Sequence, residues 1–190
     1  MGEAQVVVVA AAMGSLDVLT GPSGQLPAQA LPLNPVKGQL SLAAVDAPAR
    51  AARPQRNDGV FVPHYEDTGL PPTWPAAIWA MGSTYERGAA DTIVTTESHE
   101  RNARSLQSIQ PAAAQHLLDL LKQQRLLGWA QVRCASLDRL PLVGAAPDTN
   151  TLFKRLESGR ERRQRVALAD VPRGPGLYML CAQGSRGITQ

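Results

Sequence analysis

Aromatic side chains are scarce in this sequence. Three Trp, three Tyr and two Phe make up 4% of its 190 residues. That leaves little material for cation–π cages or base-stacking platforms. Cysteine is scarcer still: Cys134 and Cys181 stand far apart in no C-x-x-C spacing, which predicts free thiols in a reducing compartment. Long apolar runs are missing, and no stretch approaches the roughly 20 residues of a membrane-spanning helix. The start of the sequence does not read as a secretory leader, because the acidic Glu3 precedes the apolar run. These absences predict a cytoplasmic chain with no membrane partner. His64, His99 and His116 are dispersed, form neither H-E-x-x-H nor a Cys/His metal pattern, and read as surface or loop histidines. A nucleophile elbow and a P-loop are absent too, and neither helical segment has the apolar face of a membrane-surface helix.

What is present is globular. Hydrophobic residues make up 44%, with 15 prolines and 16 glycines to supply extensive loops. The length suits one domain, or one and a piece. A net charge of +3 with a pI near 9.2 permits a nucleic-acid partner without requiring one.

Along the chain, Val6–Ala12 is a β-branched run ending in small residues, the pattern of a strand buried on both faces in a parallel sheet. Residues 20–35 read as a loop. Within Leu33–Leu42 the second half alternates apolar and polar, as a half-buried strand does. Residues 46–56 form an exposed connection. Asn57-Asp58-Gly59 is a turn leading into a short strand, residues 64–75 an irregular surface loop, and Ile78–Tyr85 another strand. Thr96 suits an N-cap, with Glu97 and Glu100 in the first turn and Ala103, Leu106 and Ile109 at helical spacing. Pro111 ends that helix and opens a second, whose apolar face carries Leu117, Leu118 and Leu121. Residues 151–165 hold Lys154, Arg155, Arg160, Arg162, Arg163 and Arg165 against Glu157 and Glu161. They form either a solvated segment with local ion pairs or a phosphate-neutralising cluster. Gly176–Gly187 is an apolar strand delivering a glycine-rich turn, whose backbone can approach an anion or a ring closely.

The organising stretch is Val132–Gly144: a strand, a charged turn at Asp138-Arg139, then an apolar run to Gly144. Arg133, a cation at the mouth of an apolar strand, is either an anchor for an anion or a paired structural charge. The segment resembles the R-x-x-x-x-D-x-x-P-x-x-G signature of the D-amino-acid-oxidase-like flavoenzymes. Its wording R-C-A-S-x-D-R-L-P-L-V-G is similar to one branch, the oxidase half of the bifunctional enzymes of tRNA wobble-uridine modification. Pro35-Val36-Lys37-Gly38-Gln39, Gly82–Gly88 and Gly184-Ser185-Arg186-Gly187 resemble further segments of that branch.

The resemblance implies an α/β fold with α+β character. A mixed or antiparallel substrate-binding sheet with flanking helices spans 38–165. Remnants of a Rossmann-like FAD domain lie at 1–37, and at 166–190 as a return strand and glycine-rich turn. The two apolar runs that begin at Val6 and Leu177 are expected side by side and parallel, outside the main sheet. FAD is the implied cofactor, contacted by Ala10, Ala11, Gly184, Ser185, Arg186 and Gly187, with Arg133 on the substrate carboxylate. The implied reaction removes the carboxymethyl group from carboxymethylaminomethyl-uridine of tRNA. No acid–base residue is assigned. A glycine- or sarcosine-type amine oxidase and a non-catalytic fragment are the alternatives. The family's G-x-G-x-x-G unit is absent: Gly174 and Gly176 lack the third glycine and precede a strand. The chain also stops short of the helix that faces the flavin in the family. A partial chain that holds FAD weakly by itself is therefore expected, its partner a flavin-domain or methyltransferase segment.

Overall fold

The computed structural model describes residues 4–20, 31–45, 51–157 and 168–183. In chain order these form β1 (Val7–Val9), α1 (Gly14–Thr20), β2 (Leu33–Ala44), β3 (Gln55–Arg56), β4 (Val60–Glu66), β5 (Ala77–Gly82) and β6 (Glu86–Arg87). There follow α2 (Thr96–Gln107), α3 (Pro111–Lys122), β7 (Leu127–Ser136), β8 (Leu142–Pro147), α4 (Thr149–Glu157) and β9 (Arg173–Cys181). The chain divides into two compact units, Met1–Pro35 with Arg133–Gln190, and Val36–Val132. β8 pairs with β9, which carries residues after Val132 into the first unit.

In the first unit β1 runs parallel to β9, with Val7, Val8 and Val9 opposite Leu177, Tyr178 and Met179. The two apolar runs are therefore side by side, in a three-stranded sheet of order β1-β9-β8 apart from the larger sheet. Burial of the valine run on both faces does not occur. Val6, Val7 and Val8 are exposed, and Val9 is buried. The reason is position: β1 is an edge strand of its sheet, with β9 as its one neighbour in the strand order. Close approach of the chain at Gly176 needs glycine. Its φ is +72°, and a Cβ there would lie 2.6 Å from the Gln5 carbonyl oxygen. The core of this unit gathers Val9, Leu19, Leu31, Leu33, Ala146 and Met179 around the two cysteines. Asp148 caps α4, accepting from the Thr151 amide at 3.0 Å and the Thr151 hydroxyl at 2.6 Å.

The second unit is built on a six-stranded sheet of order β3-β4-β5-β2-β6, with β7 also paired to β2. Trp79, Phe61 and Met81 are fully buried. They pack with Ala103 and Leu106 of α2 and with Ala113, Ala114 and Leu117 of α3. Pro111 occupies the first turn of α3 as expected. Three local readings shift by one residue or a few. The N-cap of α2 is Thr95, whose side chain accepts from the Ser98 amide. On α3 the buried leucines are Leu117 and Leu120 rather than Leu121, because the small Ala113 and Ala114 set the contact face. β4 continues through Glu66, so the irregular loop starts at 67.

The largest departure concerns β2. Its alternation predicted a polar face in water, yet Lys37, Gln39 and Ser41 are all buried. A central strand in a covered sheet has no solvent face, so these groups must find partners. Lys37 Nζ pairs with Asp91 at 2.6 Å. Gln39 donates to the Thr95 carbonyl at 2.9 Å and accepts from the Thr95 amide at 2.8 Å. Asn102 donates to Gln39 O and Ser41 Oγ, each at 3.0 Å. His99 Nδ1 lies 2.7 Å from Ser41 Oγ. His99 is thus a core residue and not a surface one, and His116 packs beside Trp79 with ring centroids 6.4 Å apart. His64 is on the surface as expected, beside Glu66.

Burial lowers the His99 pKa below its ordinary 6.5. The unfolded chain therefore takes up a proton near pH 6.5 that the folded chain refuses. Stability is full above that pH and declines as pH falls toward the depressed folded value. Melting temperature measured from about pH 7 to about pH 5 should fall less in His99→Gln than in the unaltered chain. Parallel profiles would assign the acid sensitivity elsewhere.

Candidate functional site

The signature segment explains itself residue by residue. After β7, the Asp138 carboxylate accepts from the Leu140 amide and from the Ser136 hydroxyl, both at 2.9 Å. Those bonds, the Leu140 amide foremost, hold its pKa below the ordinary carboxylate value. Arg139 takes a left-handed φ of 64° inside this turn. Gly144 sits in β8 at φ 144° opposite Met179. The aspartate and the final glycine of the signature thus build the turn and return strand, and that geometry delivers Arg133 at the end of β7. The structural alternative pairs Arg133 with Asp138 or another carboxylate; the Asp138 carboxylate accepts from Ser136 and Leu140.

Arg133 is exposed at a cavity of about 210 Å³. The walls are small: Ala10 and Ala12 from the segment after β1, then Cys181, Ala182 and Gln183 at the end of β9. Cys134, beside Arg133 on β7, completes the floor. The sequence reading placed Ala10 and Arg133 at the site, and the structure brings both to this cavity. Ala11 turns away into the entry of α1, where its amide donates to Ser15 Oγ at 3.1 Å and its carbonyl accepts from Gly14. Gly184, Ser185, Arg186 and Gly187 lie outside the described residues, as does most of the basic cluster at 158–165. The wall residues missed from sequence are the two cysteines, Ala12, Leu180, Ala182 and Gln183. Their signal was available only in the tertiary structure, which pairs β1 with β9 and brings Arg133 and Cys134 of β7 to the same cavity.

Both cysteines are free, as read from the sequence, and the structure buries both. Desolvation pushes the Cys134 thiol upward, against a lowering by the Ala182 amide. Cys181 Sγ lies 3.1 Å from Ser15 Oγ. Among the described residues no group of His, Cys, Asp and Glu could hold a metal ion, and no helix is long and apolar enough to cross a membrane.

Comparison with known proteins decides the family. A family model described as FAD dependent oxidoreductase matches residues 1–190. The chain belongs to the FAD-dependent oxidoreductase family. One curated relative is the tRNA 5-methylaminomethyl-2-thiouridine biosynthesis bifunctional protein MnmC of Ralstonia nicotianae, 38% identical over 83% of this chain. The protein of the same name from Paracidovorax citrulli is 33% identical over the whole chain. This oxidoreductase chain spans 22% and 25% of their respective lengths. Among solved structures, iminodiacetate oxidase from Chelativorans sp. BNC1 superposes with a TM-score of 0.57 at 16% identity, over 98% of this chain and 39% of its own. Glycine oxidase from Geobacillus kaustophilus gives 0.54 at 19%, over 97% and 38%. These likenesses show a shared fold, and the α/β architecture expected from the sequence is that fold.

FAD is the cofactor of this oxidoreductase family, and the residues at the cavity fit part of it. Ala10, Ala12 and Ala182 have no branch beyond Cβ, so a flat ring can approach their backbone closely. The cavity is smaller than the roughly 300–1,000 Å³ of complete small-molecule sites. At about 210 Å³ it has room for only part of a dinucleotide.

Proposed function

We propose that this FAD-dependent oxidoreductase chain serves tRNA wobble-uridine modification, oxidatively removing the carboxymethyl group from carboxymethylaminomethyl-(2-thio)uridine. The carrying observation is Arg133, a guanidinium at a cavity whose other lining residues are small or apolar apart from Gln183. Support for the substrate comes from the curated relatives, whose names specify biosynthesis of tRNA 5-methylaminomethyl-2-thiouridine. In this reading Ala10 contacts the cofactor. The unit Met1–Pro35 with Arg133–Gln190 carries the flavin-facing residues, and Val36–Val132 is the body of the substrate domain.

The chemistry balances as a secondary amine R–NH–CH2–COO⁻ plus water giving R–NH2 and glyoxylate, with two electrons and two protons passing to the acceptor. Bound FAD supplies that acceptor. The chain's own share is placement. Arg133 holds the carboxylate with a planar fork of donors, which fixes the adjacent CH2 in position and orientation. The small wall residues admit close approach. No side chain at the described cavity is needed to carry a proton, since an amine near neutral pH can exchange its own.

The test supplies FAD and offers tRNA bearing the carboxymethylaminomethyl group, glycine and sarcosine in parallel. Glyoxylate and the aminomethyl nucleoside should appear together from the tRNA. Glyoxylate from glycine or sarcosine alone would replace this reading with an amine oxidase of free amino acids.

A further inference from the structure

On the second unit, the β3–β4 turn, the segment after β5 and one face of α2 enclose a groove of about 610 Å³. This is within the range of complete small-ligand sites, and the reaction proposed above makes no use of it. Tyr85 stands at one wall, 54% exposed. Arg87 lies 5.7 Å above its ring centroid. From α2, Arg101, Arg104 and Ser105 line the opposite side, at the i, i+3 and i+4 spacing that shares a helix face. Asn57 and Asp58 close the end, where Asn57 Nδ2 donates to Ser108 Oγ at 2.5 Å.

The charges are mixed. Arg101 is flanked by Glu97 at 3.3 Å and Glu86 at 3.7 Å, and Asp58 is itself a lining residue. Such a site suits a bare anion poorly, because carboxylates offset much of its positive field. It suits a ligand with a ring, a polar edge and a single anionic group. Arg101 Nε and Ser105 Oγ are also buried with no hydrogen-bond partner. Native interiors rarely leave such groups unsatisfied.

We propose that this groove binds one nucleotide of a single-stranded RNA segment, its base on the Tyr85 ring and its phosphate at Arg104. Aromatic stacking supplies sequence-tolerant grip and the guanidinium supplies the salt-dependent part. Asp58 and Asn57 offer polar contacts to the base edge. The proposal rests on RNA being the substrate class of the proposed function, and it deepens that reading by placing a second point of contact.

The test is equilibrium binding of the full chain, without flavin, to a labelled stem-loop RNA with an unpaired loop, across a salt series. Variants are Arg104→Glu, Tyr85→Ala and Lys122→Glu, the last an exposed lysine of α3 away from the groove. Circular dichroism establishes that each is folded, and Arg104→Gln replaces the charge reversal if that variant is not. Arg104→Glu should weaken binding at least roughly 10-fold and reduce the salt slope by about one. Tyr85→Ala should cost roughly 5- to 150-fold, and Lys122→Glu less than about 2-fold. Equal losses in all three, or none in the two groove variants, would overturn the proposal. RNA binding through the groove without glyoxylate release would count against the reaction and leave the groove standing. Glyoxylate release from modified tRNA with groove variants binding normally would do the reverse.

Discussion

Replacing Arg133 by alanine in the flavin-loaded protein is expected to weaken binding of the amino-carboxylate substrate roughly 10- to 150-fold. That range corresponds to the about 1.5–3 kcal/mol of a charge-assisted, bidentate pair in a partly dry site. Melting temperature should hardly change, because Arg133 is exposed and the adjoining turn is held by Asp138, Ser136 and Leu140. Flavin affinity should hold as well, since the guanidinium is assigned to substrate and not cofactor. Arg133→Lys should recover part of the loss, because a point charge lacks the planar fork. Measuring melting temperature and substrate affinity on the same protein separates a clamp from a structural charge. A large drop in melting temperature with unaltered affinity would remove the clamp assignment and the substrate chemistry built on it.

Trp79→Ala is expected to have the largest effect on stability. Trp79 is fully buried between Phe61, with centroids 6.2 Å apart, and His116, and it belongs to the cluster that joins β5 to α2 and α3. Truncation of such a side chain costs about 3–5 kcal/mol, the lost transfer energy plus the cavity left behind. For a chain of this size that is roughly 6–20 °C in melting temperature. Trp79→Phe should be far milder. It gives up volume, but it also removes the indole Nε1–H, which is buried with no hydrogen-bond partner, so the two changes partly offset. Thermal unfolding of both variants checks this. Equal destabilisation by Phe and Ala would mean that the indole N–H, or a group bonded to it, matters more than ring volume.

Much of the local structure was legible in the residues. Pro111 at a helix start and the Asn57-Asp58-Gly59 turn depend on backbone chemistry confined to a few neighbours, and both came out as read. The one-residue slip at Thr95 has the same origin. Two adjacent threonines offer the same cap, and only the path of the preceding loop selects between them.

The family signature was readable for a different reason. Arg133, Asp138, Pro141 and Gly144 lie within one turn and its flanking strands, so their spacing already encodes the geometry that presents the arginine. What the sequence by itself determined, then, is every feature whose causes sit close together in the chain: caps, turns, the signature and the family. The tertiary structure alone decided which faces are covered. Lys37, Gln39, Ser41 and His99 read as polar and solvated, yet all are buried: α2 sets His99 and Asn102 against Ser41 and Gln39 of β2, and Lys37 pairs with Asp91. Val6–Val8 read as core, yet β1 is an edge strand. The walls around Arg133 come from segments more than a hundred residues apart, joined by the parallel pairing of β1 with β9. Burial and long-range pairing depend on what packs from elsewhere in the chain, and residue pattern within a strand carries no record of that partner.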